Sequence, residues 1–143
     1  MSFKYTNSFT VEGGNFEKAG MASVEIKKTL KNMGINGDTL RRIAIAAYES
    51  EINIISYAKC GVINIEVTHD FVLLDVKDEG PGIENIEMAS REGFSTANDT
   101  IRELGFGAGM GIPNIKNCSD AFELTSEVNK GTHLRALINL SGS

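Results

Sequence analysis

The sequence contains no tryptophan, two prolines, two cysteines and two histidines among its 143 residues. Cys60 and Cys118 each lie far from a second cysteine or a metal-like histidine spacing. We therefore expect two reduced, partly buried thiols and no disulfide or metal site. No apolar run approaches the roughly 18 residues that span a membrane. The N-terminal residues lack the basic-then-apolar order of a signal peptide, so the expected location is the cytoplasm.

Clusters of basic residues are also missing, and the net charge is −5 with an isoelectric point near 5.0. This excludes nucleic acid as a partner, because neutralising its phosphates requires a basic face. An amphipathic helix expected at residues 16–33 has no strongly basic face either, which favours packing over a membrane-surface role. The length fits one domain over residues 1–143, with about two-thirds of the unfolded surface buried in a single core.

Hydrophobic periodicity divides the chain into strands and helices. Alternating apolar residues predict strands at 3–11, 62–67, 71–77, 121–128 and 132–140. Helices are predicted at 16–33, 39–59, 83–91 and 112–118, with a polar loop at 93–104. The first helix should begin after Asn15 and end at Gly34, and the second should be capped by Asp38 and stopped by Gly61. This order predicts an α+β fold, a two-layer sandwich of a mixed, mostly antiparallel sheet with helices on one face.

The helix expected at 39–59 is apolar on nearly all sides, which is typical of a helix buried from more than one direction. Glu49 and Asn53 lie within it at i and i+4 and are therefore neighbours on one face. Burying a carboxylate and an amide without partners is costly, so the pair indicates either a hydrogen-bonded core pair or a functional site. Glu51 lies off that face, and we expect it to be a solvated charge.

A second polar group falls at the end of the strand at 71–77. The alternation of that strand puts Asp78 on the side of its apolar residues, and Gly80-Pro81-Gly82 follows closely. Pro-Gly sequences commonly form ordinary turns, which is one interpretation of this segment. A carboxylate that points inward at the end of a strand is nevertheless poorly suited to packing and well suited to binding a ligand.

A second dense group of glycines comprises Gly105, Gly107, Gly109 and Gly111. Such density indicates unusual backbone dihedrals or the close approach of a ligand. The Walker pattern is absent, because no glycine is followed by Lys-Ser or Lys-Thr, and the even spacing does not fit the dinucleotide pattern. The glycines instead lead into a helix N-terminus, where free amides and the helix dipole can hold a phosphate.

Four motifs in this order resemble the N, G1, G2 and G3 boxes of the GHKL ATPase superfamily. They are Glu49-x-x-x-Asn53, Asp78-x-Gly80-x-Gly82, the glycines from 105 to 111, and Gly131-Thr132. The resemblance covers about residues 38–140 and implies the Bergerat-type ATP-binding fold. Within the superfamily the chain looks most like the small bacterial anti-sigma-factor and switch-protein serine kinases, in which a single GHKL domain phosphorylates a serine of a STAS-domain protein.

The resemblance implies that ATP and Mg²⁺ are bound and that two residues of the helix at 39–59 serve the chemistry. Asn53 would supply its amide oxygen to Mg²⁺, a hard cation that prefers oxygen ligands. Glu49, one turn away, would be the general base that takes the proton from the substrate serine.

The remaining motifs would hold the nucleotide. Asp78 would accept a hydrogen bond from the adenine amino group, Thr132 would help to hold the same side, and residues 93–104 would form a lid over ATP. The glycines would let the backbone approach the base and wrap the phosphates; they are Gly80, Gly82, Gly105, Gly107, Gly109 and Gly111.

Two functions of different class remain open. The first is an ATP-dependent protein serine kinase that acts in a partner switch on a STAS-domain protein. The second is a nucleotide-gated binding module of the anti-sigma-factor type, which sequesters a sigma factor or another regulator without phosphotransfer. The sequence leaves open whether the protein forms a homodimer, and the helix at 16–33 is the surface we would test first for partner contact.

Overall fold

The computed structural model of the chain describes residues 3–82 and 111–140. In chain order its elements are β1 (Lys4–Glu12), a 3-10 helix (Phe16–Lys18), α1 (Met21–Asn32), α2 (Gly37–Tyr57), β2 (Cys60–Thr68), β3 (Phe71–Glu79), α3 (Gly111–Cys118), β4 (Ala121–Glu127) and β5 (Gly131–Asn139). The predicted α+β fold is confirmed. The helix expected at 83–91, the loop expected at 93–104, and Gly105, Gly107 and Gly109 lie outside the described residues.

One five-stranded sheet carries the fold, in the order β1-β2-β3-β5-β4. Every pairing between these strands is antiparallel. The hairpin turn predicted between the last two strands is present, and Asn129 adopts a φ of 66° there. Since turn geometry fixes the register of a hairpin, this turn sets which residues of β4 and β5 stand side by side.

The core lies between one face of the sheet and the helices. Every second residue is buried throughout β2, and in β3 as far as Val76, as the sequence alternation predicted. Helix α2 crosses this face and buries residues around most of its circumference, including Leu40, Ile43, Ile52 and Ile54. Although α2 is 21 residues long, neither it nor another helix in the described part of the chain is apolar enough to cross a membrane.

The predicted helix at 16–33 is interrupted near its start. A short 3-10 helix is followed by Gly20, whose φ of 95° is left-handed, and α1 begins only at Met21. Asn15 makes no side-chain cap, so the predicted start is wrong. Glycine adopts this conformation readily, which allows the chain to turn before the helix. The predicted end is confirmed, because Gly34 has a φ of 91° directly after α1.

Glu51 is the clearest error of the sequence reasoning, because its side chain is buried and not solvated. Glu51 is 2% exposed. Its two carboxylate oxygens accept hydrogen bonds from the backbone N–H groups of Ala22, at 3.1 Å, and Ser23, at 3.0 Å. These donors are among the unpaired N–H groups of the first turn of α1. Glu51 of α2 therefore caps the N-terminus of a different helix.

The ends of α2 also differ from the prediction. The helix begins at Gly37 after Asn36, which makes no side-chain cap. Asp38 lies inside the first turn, where its carboxylate pairs with Arg41 at 2.8 Å instead of capping. Gly61 does not stop the helix but lies in β2, where a Cβ atom would be 2.7 Å from Cδ1 of Ile54. Gly61 thus permits α2 to pack directly onto the sheet.

Candidate functional site

Glu49 and Asn53 meet the N-terminus of α3. Both side chains project from α2, one turn apart, and both are partly buried. A Cβ atom on Gly111, the first residue of α3, would lie 3.0 Å from Oδ1 of Asn53 and 3.3 Å from Oε2 of Glu49. Two side-chain oxygens from one helix therefore converge on the backbone at the start of another. The glycine keeps this space clear, because any side chain there would crowd both oxygens.

Asn114, in the first turn of α3, completes this cluster by hydrogen-bonding to the carboxylate of Glu49. Burial raises the pKa of Glu49 above its usual value, and the bond from Asn114 opposes the rise. A carboxylate whose pKa is shifted toward neutrality is suited to accept a proton. Sequence reasoning missed Asn114. The available signal was its position three residues after Gly111 in an expected helix, which puts both residues on one face.

At the far end of α2, polar side chains stand side by side across three strands. The register pairs Asp78 of β3 with Thr132 of β5, and Thr132 with Ser126 of β4. Gly61 of β2 continues the row beside Asp78. Because Gly61 faces Ile54 of α2, the whole row lies on the helix side of the sheet. Sequence reasoning named Asp78 and Thr132 but missed Ser126, whose place depends on the hairpin register.

Asp78 is held in this row by a backbone donor. The N–H group of Thr132 donates to Oδ1 of Asp78 at 3.1 Å. Burial raises the pKa of Asp78, and this hydrogen bond opposes the rise. A carboxylate has more acceptor sites than one N–H group uses. Asp78 therefore remains able to accept a hydrogen bond from an amino group of a ligand.

Gly131 allows β5 to approach Asp78 so closely. A Cβ atom on Gly131 would overlap the backbone oxygen of Asp78, and the residue has a φ of 153°. A larger residue would push the strand away and take the N–H group of Thr132 with it. Gly131 thus permits the close approach that lets the N–H group of Thr132 reach Asp78.

Gly80 and Gly82 are packed against the protein's own backbone. A Cβ atom on Gly80 would lie 3.0 Å from Cα of Ala58, just beyond α2, and one on Gly82 would overlap the backbone oxygen of Glu127. The N–H group of Gly80 also donates to the carbonyl of Lys130 at 3.2 Å. The segment after Asp78 is therefore fixed between α2 and the β4–β5 hairpin, which gives both glycines a packing reason in addition to the predicted approach to a base.

Both parts of the site lie along the second half of α2. Ala58 follows Asn53 by a little more than one helical turn, roughly 7 Å along the axis. One part offers a carboxylate, amides and a helix N-terminus, and the other offers a carboxylate beside hydroxyl groups. Within residues 3–82 and 111–140, no group of three or more His, Cys, Asp or Glu side chains could hold a metal ion.

Comparison with known proteins identifies the class to which this site belongs. Residues 38–142 match the family described as "Histidine kinase-, DNA gyrase B-, and HSP90-like ATPase". The chain belongs to this family, as the order of its four motifs predicted. The match includes α2 from Asp38 onward, β3, which carries Asp78, β5, which begins at Gly131, and α3.

Individual relatives indicate which members of this ATPase family the chain resembles. The chain is similar to the serine/threonine-protein kinase RsbT of Bacillus subtilis, with 32% identity over 115 residues, which is 78% of this chain and 80% of the relative. It is also similar to the anti-sigma F factor of Clostridium perfringens, with 29% identity over 124 residues, 82% of this chain and 85% of the relative. The anti-sigma F factor of Clostridium kluyveri is 28% identical over 137 residues, 91% of this chain and 92% of the relative. The relatives thus include a protein named as a serine/threonine kinase and proteins named as anti-sigma factors.

The predicted site residues fall into two groups in the structure. Glu49, Asn53 and Gly111 come together where α2 meets the start of α3. Asp78, Gly80, Gly82 and Thr132 come together where β3 ends beside the β4–β5 hairpin. Gly105, Gly107 and Gly109 lie outside the described residues. The roles given to all these residues remain predictions, which the following proposal uses.

Proposed function

We propose that the protein is an ATP-dependent protein serine kinase that acts in a partner switch. The observation that carries the proposal is the convergence of Glu49 and Asn53 on Gly111 at the start of α3. A helix N-terminus favours a phosphate group, and a carboxylate with a raised pKa favours proton acceptance. The similarity to a protein named a serine/threonine kinase supports the same function.

In this proposal ATP lies along the second half of α2. The adenine base lies at Asp78 and Thr132, and the phosphates lie at the start of α3. Asp78 accepts a hydrogen bond from the amino group of adenine, since it is a partly buried acceptor held in place by a backbone donor. Gly80, Gly82, Gly105, Gly107, Gly109 and Gly111 border the nucleotide. Residues 93–104 form the lid.

The residues present fit a Mg²⁺ ion that arrives with the nucleotide. Asn53 Oδ1 would lie 3.0 Å from a Cβ atom on Gly111, so it points to the start of α3, and an amide oxygen is a ligand that Mg²⁺ accepts beside phosphate oxygens and water. When bound, Mg²⁺ neutralises the charge of the phosphates. Asn53 would be its ligand from this chain.

The proposed reaction transfers the γ-phosphoryl group to a serine of the partner. A bond forms between the serine Oγ and the γ-phosphorus, while the bond from that phosphorus to the β–γ bridging oxygen breaks and ADP leaves. Glu49 accepts the proton of the serine hydroxyl. Asn114 holds the Glu49 carboxylate by a hydrogen bond, so that the base keeps one orientation as the serine approaches.

The proposed substrate is a STAS-domain protein, and a sigma factor is a further proposed partner. We propose that this protein acts in the cytoplasm together with these partners. We also propose that residues 1–143 form one kinase domain. A homodimer is compatible with this arrangement. The partner surface to test first is α1, which Glu51 joins directly to the helix that carries Glu49.

A second candidate function is a nucleotide-gated module that sequesters a regulator without phosphotransfer. The relatives named anti-sigma F factor favour this function. The two candidates share the nucleotide site and differ only in what happens to the γ-phosphate. They can therefore be separated in one experiment.

The test incubates the purified protein with γ-labelled ATP, Mg²⁺ and candidate partners, beginning with a STAS-domain protein encoded next to its gene. Transfer of label to a serine of the partner supports the kinase. A stable complex on a sizing column without label transfer supports the binding module and contradicts the kinase. The Glu49→Gln variant is the matched control, because it removes the proposed base and keeps the size of the side chain.

A further inference from the structure

Arg42 contacts the end of α3 that lies opposite the end meeting Glu49. Its side chain projects from the second turn of α2 and is 25% exposed. Nη1 donates a hydrogen bond to the backbone carbonyl of Cys118, the last residue of α3, at 3.3 Å. The last four carbonyls of a helix have no partner within it, and a cation beside them is favourable. Arg42 of α2 therefore caps the C-terminus of α3.

Two carboxylates hold the guanidinium group of Arg42 in this place. Nε lies 3.3 Å from Oδ2 of Asp38, an ion pair without a hydrogen bond in the described part of the chain. Nη1 lies 3.6 Å from Oδ2 of Asp120. The same oxygen of Asp120 accepts a hydrogen bond from the N–H group of Asn139 at 2.7 Å. Arg42 thus joins the beginning of α2 to the end of α3 and, through Asp120, to the end of β5.

The contacts between α2 and α3 have the same spacing on both helices. Arg42 precedes Glu49 by seven residues, and Gly111 precedes Cys118 by seven residues. Seven residues are about two helical turns, or roughly 10 Å, so the two residues of each helix lie on one face. The helices run antiparallel here, because Arg42 meets the end of α3 and Glu49 meets its start. A shift of α3 along α2 at one contact must therefore appear at the other.

We propose that Arg42 is a positioning residue that fixes how far α3 lies along α2, so that the start of α3 meets Glu49 and Asn53. The consequence for the reaction rests on the proposed function. Pro113 and Ile115 are buried and hold α3 against the core, but apolar burial is not directional. The hydrogen bond at Cys118 depends on distance and angle, so it resists a shift along the helix axis that apolar packing tolerates.

The residue through which Arg42 would act is Asn114. Its side chain hydrogen-bonds to the carboxylate of Glu49, and a shift of α3 would carry it away. The base would then lose its fixed orientation, and a misplacement of about 1 Å can slow a reaction about a hundredfold. A role of Arg42 in stability alone would cost the same with or without Asn114. The dependence of one substitution on the other therefore separates the two roles.

The first measurement is the single-turnover rate of phosphate transfer at saturating ATP, with the STAS-domain partner of the functional test. Arg42→Met keeps an apolar stem and removes every donor. Arg42→Lys keeps the charge without the planar set of donors, and it takes the same place in the comparison if Arg42→Met does not fold. Arg41→Met is the matched control, because Arg41 pairs with Asp38 at 2.8 Å and its side chain is 66% exposed.

We expect Arg42→Met to transfer phosphate about ten- to a hundredfold more slowly than the natural protein. Arg41→Met should stay within about twofold, since exposed ion pairs contribute little. When Asn114 is already replaced by alanine, adding Arg42→Met should slow the reaction by less than about threefold. An effect of equal size with and without Asn114 overturns the positioning role.

The second measurement does not depend on phosphate transfer. Amide hydrogen exchange over residues 111–118 of the full chain, without nucleotide, reports how firmly α3 is held. Exchange should be about tenfold faster in Arg42→Met than in Arg41→Met, the effect of one hydrogen bond. Equal exchange in the two variants overturns the inference even if the natural protein is a kinase. A natural protein that transfers no phosphate refutes the proposed function, and exchange alone then decides whether Arg42 holds α3.

Discussion

Glu51 should stabilise the fold without taking part in the chemistry, and its replacement by alanine tests both parts of that statement. The side chain is 2% exposed and accepts two backbone hydrogen bonds. In Glu51→Ala the N–H groups of Ala22 and Ser23 lose their acceptor in a buried position. Hydrogen bonds to charged groups contribute about 1.5–3 kcal/mol each, and an unsatisfied buried donor costs about 1–3 kcal/mol.

Two such donors give an expected loss of about 3 kcal/mol in the free energy of unfolding, since the two bonds share one carboxylate and are not fully additive. For a domain of this size that corresponds to a fall in Tm of roughly 6–12 °C. Urea unfolding followed by circular dichroism measures the loss directly. Glu25→Ala, at an exposed position of α1, is the control and should change stability by less than about 0.5 kcal/mol. If Glu51→Ala matches this control, the buried cap does not stabilise the fold as we argue.

Three further predictions concern the site itself. Because burial raises the pKa of Glu49 above 4.5, the unfolded chain releases this proton at lower pH than the folded one, and stability falls as pH rises through that interval. Glu49→Gln should therefore be more stable than the natural protein at about pH 7 and equal to it below the unfolded pKa, in urea titrations at both values. Gly131→Ala should lose about 2 kcal/mol or more in thermal unfolding and bind ATP weakly, because its Cβ would overlap the backbone of Asp78. Gly111→Ala should fold normally but phosphorylate at least tenfold more slowly in single-turnover assays, since its Cβ would lie 3.0 Å from Asn53 Oδ1. A rate equal to that of the natural protein would show that the reaction does not use the space between Gly111 and Asn53.

Local patterns predicted most of the fold because they coincide with what the core requires. The alternation in β2 and β3 matches their buried faces residue by residue, and the turn at Asn129 lies where the sequence put it. Errors occurred where contacts distant in sequence decide the outcome. Helix α1 starts at Met21 because Gly20 turns the chain and Glu51 caps the new end. The predicted burial of α2 on nearly all sides already argued against a solvated Glu51.

The site was predictable in its residues and less so in its geometry. The spacing of Glu49 and Asn53 guarantees that they share a face, but their meeting with Gly111 depends on how α3 packs against α2. Asn114 and Ser126 were missed for the same reason. Their partners lie on other elements, and only the packing of helices and the register of the hairpin bring them together.

The central claim is that Glu49 is the base of a phosphotransfer reaction in a site that binds ATP independently of it. The most direct measurement is the single-turnover rate of phosphate transfer to the STAS-domain partner by Glu49→Gln, together with its affinity for ATP. We predict a rate at least a hundredfold lower, the usual contribution of general base catalysis, and an ATP affinity within about threefold of the natural value. Transfer at the natural rate would contradict the claim.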